Sequence, residues 1–346
     1  MKRRIALLVL AHRPAALQFL LDLLDDRFAL FVHLDAKTDL GSVRLRIPRH
    51  ATMIEPRIEV FWGGWSMMRA TLALIDAARA HGEFARYALI SGDSLPVLPL
   101  DRLEAALRDG TREYVELLPV ADDPSLAGAD MRVAIERHGW VQPWRLHNPV
   151  AWDHRLLNPF QRTEAARHYG VAQDRIDWIR GDVERLVGGL LTDLRPRPPF
   201  PSFWYGSQWW ALTGDTIEAL LPELRRPEVQ RFFRTIQVPD EHMIQTVLGN
   251  RRELLGGRAA IGSPMWSDLA RRAEGVDTLD GVAFRGAARN GDQILFARKF
   301  DPDAAPEVAA ALRAGRYEST VLGAPERPIG RRRSPAAGKT AGAPRK

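Results

Sequence analysis

Glu241 stands in the run Val238-Pro239-Asp240-Glu241-His242, where a proline followed by two acids marks the start of a helix. The helix dipole would keep that carboxylate ionised, and the helix would hold it rigidly. A general base that takes the proton from an attacking hydroxyl needs both properties, and contributes roughly 10²–10⁴-fold to a rate. The same residues also suffice for an ordinary helix start, so Glu241 and its neighbour Asp240 carry two readings at this point.

A second constellation is Phe296-Ala297-Arg298-Lys299-Phe300, two cations set between apolar anchors. Fixed arginine and lysine can offset charge that develops on a departing phosphate, a task that a metal ion held by acids performs elsewhere. Strand alternation puts Arg298 and Lys299 on opposite faces, so one of the two is expected to meet the anion. An edge strand with solvated charges gives the same pattern. Three apolar runs end on small or polar residues: Ala11-His12, His33-Leu34-Asp35 and Ser91-Gly92-Asp93. The C-terminal ends of parallel strands are where open sheets bind ligands, so these three ends could converge on a nucleotide. Asp35 or Asp93 would then accept hydrogen bonds from its ribose or base. Loops after strands are polar in any case.

The chain holds 10 tryptophans, clustered visibly in Phe203-Trp204-Tyr205-Gly206-Ser207-Gln208-Trp209-Trp210. Aromatic faces stack on sugar rings while polar neighbours bond the hydroxyls, and they also fill cores. Other chemistries lack their residues. No Gly-x-Gly-x-x-Gly follows the first strand, and Gly338-Lys339-Thr340 has Arg333 where a phosphate loop needs its first glycine. Gly64-Trp65-Ser66-Met67-Met68 lacks the second glycine of a nucleophile elbow. Glu241-His242 is no part of a zinc-binding His-Glu-x-x-His, and the 9 histidines show no ligand spacing. Asp301-Pro302-Asp303 lies past the last strand and reads as a turn.

These residues need elements to position them. Short apolar runs alternate with helical patterns over the first hundred residues, which predicts an α/β domain with a mainly parallel sheet. Strands are expected at Ile5–Ala11, Phe28–Leu34, Ile58–Trp62 and Tyr87–Ser91. A helix is expected from Pro14, and another from Ser66, its N-cap, to about Ala80. Residues 120–200 show weak periodicity and read as an irregular lid or insertion. Patterning returns with a strand over Trp204–Thr213, a helix over Thr216–Leu221, a helix from Pro239 and a last short strand at Ile294–Phe300. The sequence thus divides into one domain over 1–325, with halves at about 1–105 and 200–301, and a basic, disordered tail at 326–346.

A chain of 346 residues, 45% hydrophobic and 27% charged, has the composition of an ordinary globular protein. It has no cysteine, which excludes disulfides and thiolate metal sites. The apolar run Ile5–Ala11 is far shorter than the ~20 residues of a membrane span. The net charge of +6 misleads, because seven basic residues and no acid fall in 327–346, leaving about −1 for the rest. The body is therefore no basic nucleic-acid binder.

Taken in order, Ala11-His12, Phe31-Val32-His33-Leu34-Asp35, Trp62-Gly63-Gly64-Trp65-Ser66, Leu89-Ile90-Ser91-Gly92, Gly206-Ser207-Gln208-Trp209-Trp210, Pro239-Asp240-Glu241 and Phe296-Ala297-Arg298-Lys299-Phe300 form a series. It resembles the core-2/I-branching β-1,6-N-acetylglucosaminyltransferase and peptide xylosyltransferase family over about residues 5–301. The resemblance implies a GT-A-like, Rossmann-type fold that inverts the anomeric carbon without a metal or resident cofactor. UDP-GlcNAc or UDP-xylose would be the donor, and a glycan or protein hydroxyl the acceptor. By its motifs, Glu241 matches the base and Lys299 the lysine on the diphosphate. His12, Asp35, Ser91 and the loop with Trp62 and Gly63 match the nucleotide-sugar side, and Ser207, Trp209 and Asp240 fall near the sugar site.

Departures are visible too. The family reads Ser-Gly-x-Asp-aromatic-Pro, whereas Ser91-Gly92-Asp93-Ser94-Leu95-Pro96 has its acid one place early, which leaves the role of Asp93 open. A second basic residue belongs some two dozen positions before Lys299, where Arg271 and Arg272 match loosely and Arg272 is the candidate. The luminal members carry a membrane anchor and cysteines that this sequence lacks. That points to a bacterial relative working on a cytosolic acceptor. Its basic tail could add about 1 kcal/mol per Lys or Arg at an anionic membrane, a peripheral contact on the inner face. Two readings of other classes stand beside this one: a non-catalytic sugar-binding module, and a membrane-surface adaptor acting through the tail.

Overall fold

The computed structural model describes residues 3–41, 44–61, 63–120, 198–234, 238–267, 287 and 293–315. Apolar runs build its centre. β1 (Arg4–Ala11) and β2 (Phe28–Leu34) are buried along almost their whole length, as strands covered on both faces must be. Between them α1 (Pro14–Leu23) starts on its proline and turns Leu17, Leu20 and Leu21 inward. β3 (Ala51–Met53), α2 (Trp65–Ala80) and β4 (Phe84–Ser91) follow. Next come β5 (Leu95–Pro96), α3 (Leu100–Arg108), β6 (Arg112–Glu113) and β7 (Leu118–Pro119). After residue 197 the order is β8 (Trp204–Tyr205), β9 (Trp210–Thr213), α4 (Gly214–Leu224), α5 (Pro227–Phe233), a 3-10 turn at Pro239–Glu241 and α6 (Met243–Asn250). A second 3-10 turn at Arg252–Leu255 leads to β10 (Ala259–Ala260), β11 (Met265–Ser267), β12 (Phe296–Arg298) and α7 (Pro306–Arg313).

The architecture is mixed α/β around a mainly parallel five-stranded sheet in the order β3-β2-β1-β4-β9, with β9 alone antiparallel. The chain runs outward from β1 to β2 and β3, then returns to the other side of β1 for β4. The order therefore reverses between β1 and β4, which makes their carboxyl ends the place where such a sheet opens a ligand crevice. Register brings the ends level: Ala11 pairs with Leu34, and Leu10 with Ser91. A smaller sheet, β11-β12-β5, brings β12 beside Leu95 and Pro96, just beyond the end of β4. β7 and β8 form an antiparallel ribbon. The buried apolar residues form one cluster that extends from Ile5 to Leu312.

One charged pair lies inside this core. Arg86 on β4 and Glu113 on β6 are both fully buried. The five N–H bonds of Arg86 all find acceptors: Nε on Leu107 O, Nη1 on Glu113 Oε2 and Ala211 O, Nη2 on Asp109 O and Arg112 O. Glu113 in turn accepts from Thr213 N, Thr213 Oγ1 and Thr216 Oγ1 at 2.6–2.8 Å. The network pins the end of α3 to β4, β6, β9 and α4.

Several expectations need correction. Ile58–Trp62 is not the third strand; Ala51–Met53 holds that place, and Ile58 and Val60 donate to the side chains of His33 and Asp35 instead of to a ladder. Ser66 is not the N-cap of α2, which starts at Trp65 after Gly64, because its Oγ accepts from Phe61 N at 2.9 Å. The expected strand Trp204–Thr213 is two short strands, since Gly206 and Ser207 donate to Glu241 and Glu116 in between. At Pro239 a single 3-10 turn stands where a helix was expected, and α6 begins only at Met243. α7 was not anticipated. Trp62, Arg272, residues 121–197 and the basic tail lie outside the described residues. No helix among the described residues is long and apolar enough to cross a membrane.

Candidate functional site

The strand ends meet as the topology requires. Asp35 N donates to Ala11 O at 2.8 Å and Gly92 N to Leu10 O at 2.7 Å, so both neighbours are stitched to the end of β1. Gly92 has no substitute there, because a Cβ would lie 2.5 Å from Ala11 Cβ and 3.0 Å from Ala11 Cα. His12 follows, and its pKa is lowered. The residue shows surface to solvent, but the density of protein around its ring is the largest influence, ahead of the opposing charge of Asp93. Arg13 and Lys299 also lower it, and Asp35 raises it. The ring is thus neutral at pH 7, with two acids and two cations about it.

Asp35 and His33 hold the neighbouring loop. Asp35 Oδ1 accepts from Lys37 N at 2.9 Å and Val60 N at 3.4 Å, and Lys37 Nζ lies 3.6 Å from Oδ2. Buried His33 accepts from Ile58 N through Nε2 at 2.9 Å, and desolvation lowers its pKa, as befits a neutral acceptor. Asp35 therefore stands at the strand end with one oxygen committed to the backbone.

Asp93 explains its own displacement in the motif. It is 2% exposed, accepts from Ser91 Oγ through Oδ1, and has Arg298 Nε at 3.5 Å from the same oxygen. Its carbonyl accepts from Phe300 N at 2.8 Å, tying the β4 end to the chain beyond β12. Oδ2 is buried and has no partner among the described residues. The Arg298 guanidinium lies over the Trp209 ring, 4.9 Å from its centroid, a cation–π contact. Arg298 reaches this cluster directly, and Lys299 follows it in the chain, between Arg298 and the Phe300 N that bonds Asp93 O. β12 ends at Arg298, so strand alternation does not govern Lys299.

Glu241 approaches from the other side. Gly206 N donates to Glu241 O at 3.0 Å, Ser207 O accepts from Gln245 Nε2 at 2.8 Å, and Ser263 Oγ bonds both Ser207 Oγ and Trp209 O at 3.1 Å. A continuous run of contacts thus leads from Glu241 through Ser207 and Trp209 to Arg298 and Asp93. Gly206 is packed so tightly that a Cβ would run into the carbonyl of Glu116. Glu116 itself accepts from Ser207 N at 2.8 Å. It is a second carboxylate beside this turn, and nothing local in the sequence marks it.

The Glu241 turn is under strain. Val238 has φ +53°, a left-handed conformation that a β-branched residue adopts at a cost of about 1–3 kcal/mol. Val238 N donates to Gly63 O at 2.8 Å, and its carbonyl accepts from Glu241 N and His242 Nδ1. That places Gly63 directly under the turn. Asp240 is 4% exposed, with Oδ1 unpartnered among the described residues, while Glu241 is exposed. Burial, and next the charge of Glu241, push the Asp240 carboxyl up to about 8. Asp240 therefore keeps its proton at pH 7, beside the exposed Glu241. The helix dipole invoked for Glu241 therefore gives way to a protonated neighbour.

Of the expected residues, His12, Asp35, Ser91, Asp93, Arg298 and Lys299 gather at the β1/β4 edge, and Gly63, Ser207, Trp209, Asp240 and Glu241 adjoin them. A recess of about 420 Å³ among Phe19, Leu23, Leu100 and Leu312 shares no residue with this cluster. Among the described residues, no three His, Asp or Glu side chains group so as to hold a metal ion. No protein-family model matches the chain, and no curated protein matches it.

Proposed function

We propose that the chain is an inverting glycosyltransferase of GT-A-like fold, moving GlcNAc or xylose from a UDP-sugar to a hydroxyl of a glycan or protein acceptor. The observation that carries this reading is the run of contacts from the backbone of Glu241, whose side chain is exposed, through Ser207 and Trp209 to Arg298, which Lys299 follows in the chain. A base on one flank and fixed positive charge on the other is what displacement of a diphosphate requires.

In a single displacement the acceptor oxygen attacks C1 of the sugar as its proton passes to the Glu241 carboxylate. The bond from C1 to the diphosphate oxygen breaks, and UDP departs with the electron pair. Attack from the face opposite the leaving group inverts the centre. Lys299 and Arg298 meet the charge that develops on the diphosphate. Burial holds Asp240 in its neutral form beside Glu241, and neutral His12 can bond a ligand oxygen without adding charge.

Turnover of UDP-GlcNAc and UDP-xylose against a panel of acceptors tests the reading. Glu241→Gln should lower kcat by at least about 10²-fold while UDP binds as before. Substantial turnover by that variant removes Glu241 from the role. EDTA should leave wild-type turnover intact, and a loss restored by Mn²⁺ would overturn charge compensation by side chains.

A further inference from the structure

Arg13 follows His12 at the end of β1, at the head of α1, and has no part in the reading above. Its Nη1 lies 3.8 Å from Asp301 Oδ2, and Asp301 is two residues beyond Lys299. A guanidinium from the β1 side therefore meets the segment that carries Lys299 from the β12 side. Arg13 and Lys299 both lower the pKa of the His12 ring, the one from the next position in the chain and the other from beyond β12. The first turn of α1 contains no acid and no side-chain cap, so no anion of the helix itself neutralises Arg13. The pair with Asp301 is loose, its side chains 46% and 35% exposed, and exposed pairs at such distances hold weakly. A phosphate offering short charge-assisted bonds outcompetes such a partner.

We propose that Arg13 is a further diphosphate-binding cation, closing on the anion from the β1 side opposite Lys299, with Asp301 as the competitor that tunes its affinity. The proposal rests on the nucleotide-sugar reading of the same site and deepens it. The resemblance places a second cation near Arg272; Arg13 supplies one from the opposite end of the chain.

Calorimetric titration of the full chain with UDP and with uridine separates the contributions. Arg13→Ala should raise the Kd for UDP about tenfold and leave that for uridine unchanged, because the guanidinium meets phosphate alone. Arg13→Lys should recover part of the loss, and Asp301→Asn should tighten UDP about threefold. Unchanged UDP affinity in Arg13→Ala overturns the proposal, and so does an equal loss for UDP and uridine, which would mark a structural role. If the wild type binds neither compound, the nucleotide-sugar reading falls and takes the proposal with it; if it binds UDP and Arg13→Ala matches it, the proposal alone falls.

Discussion

Asp240 and Glu241 are adjacent in sequence and opposite in environment, one sealed in the protein and one open to solvent. The folded chain keeps a proton on Asp240 that the unfolded chain gives up near the ordinary value of 3.8. The stability this group lends is fully present below that pH, and is lost as pH rises towards about 8. Asp240→Asn holds a neutral group at every pH, so its stability relative to wild type should climb between pH 4 and pH 8, by a few kcal/mol at most. Urea denaturation at pH 5 and pH 8.5 checks this, and parallel pH slopes for the two proteins would falsify it. Glu241 was singled out because a proline and two acids read as the start of a helix, of which the structure keeps a single 3-10 turn. The burial of its neighbour was not, since Asp240 is hidden by what packs over it. Arg13 and Glu116 were silent for a related reason: each owes its place to contacts with residues far along the chain, Asp301 and Ser207.

Elements were legible where the physics is local. Phe28–Leu34 forms over the expected residues because seven residues buried on both faces leave an unbroken apolar record. Ile58–Trp62 misled because its side chains alternate as a strand's would, while its backbone donors go to His33 and Asp35. The three residues of β3 are too few to show any period. At the β1/β4 edge the fit is close enough to test. Gly92→Ala would push a methyl into the Ala11 backbone, which must shift, so a loss of about 1–3 kcal/mol is expected in urea denaturation. Because His12 follows Ala11 directly, UDP affinity should fall in the same variant. A protein as stable as wild type would show that the two strand ends separate freely.

At the scale of the whole molecule the buried Arg86 network joins the parallel sheet to the elements that carry Glu116 and Ser207. Arg86→Ala leaves buried Glu113 with only the more distant Arg258, at 3.8 Å, and takes one donor from each of four carbonyls, so a loss of about 3–5 kcal/mol is expected. Thermal and urea unfolding would measure it, and a loss under 1 kcal/mol would remove the network from the stability of the fold. Nothing in the sequence announced this pair, because an arginine in the strand Phe84–Ser91 reads as a surface charge until its five acceptors are known. The ribbon of β7 and β8 has a consequence of another kind. Val120 N donates to Phe203 O at 3.0 Å, so the chain leaves the described body at residue 120 and is back beside that point by residue 203. Residues 120 and 203 are therefore held to each other by the ribbon itself, so a change in the length of chain between them should leave the register of β7 and β8 as it is.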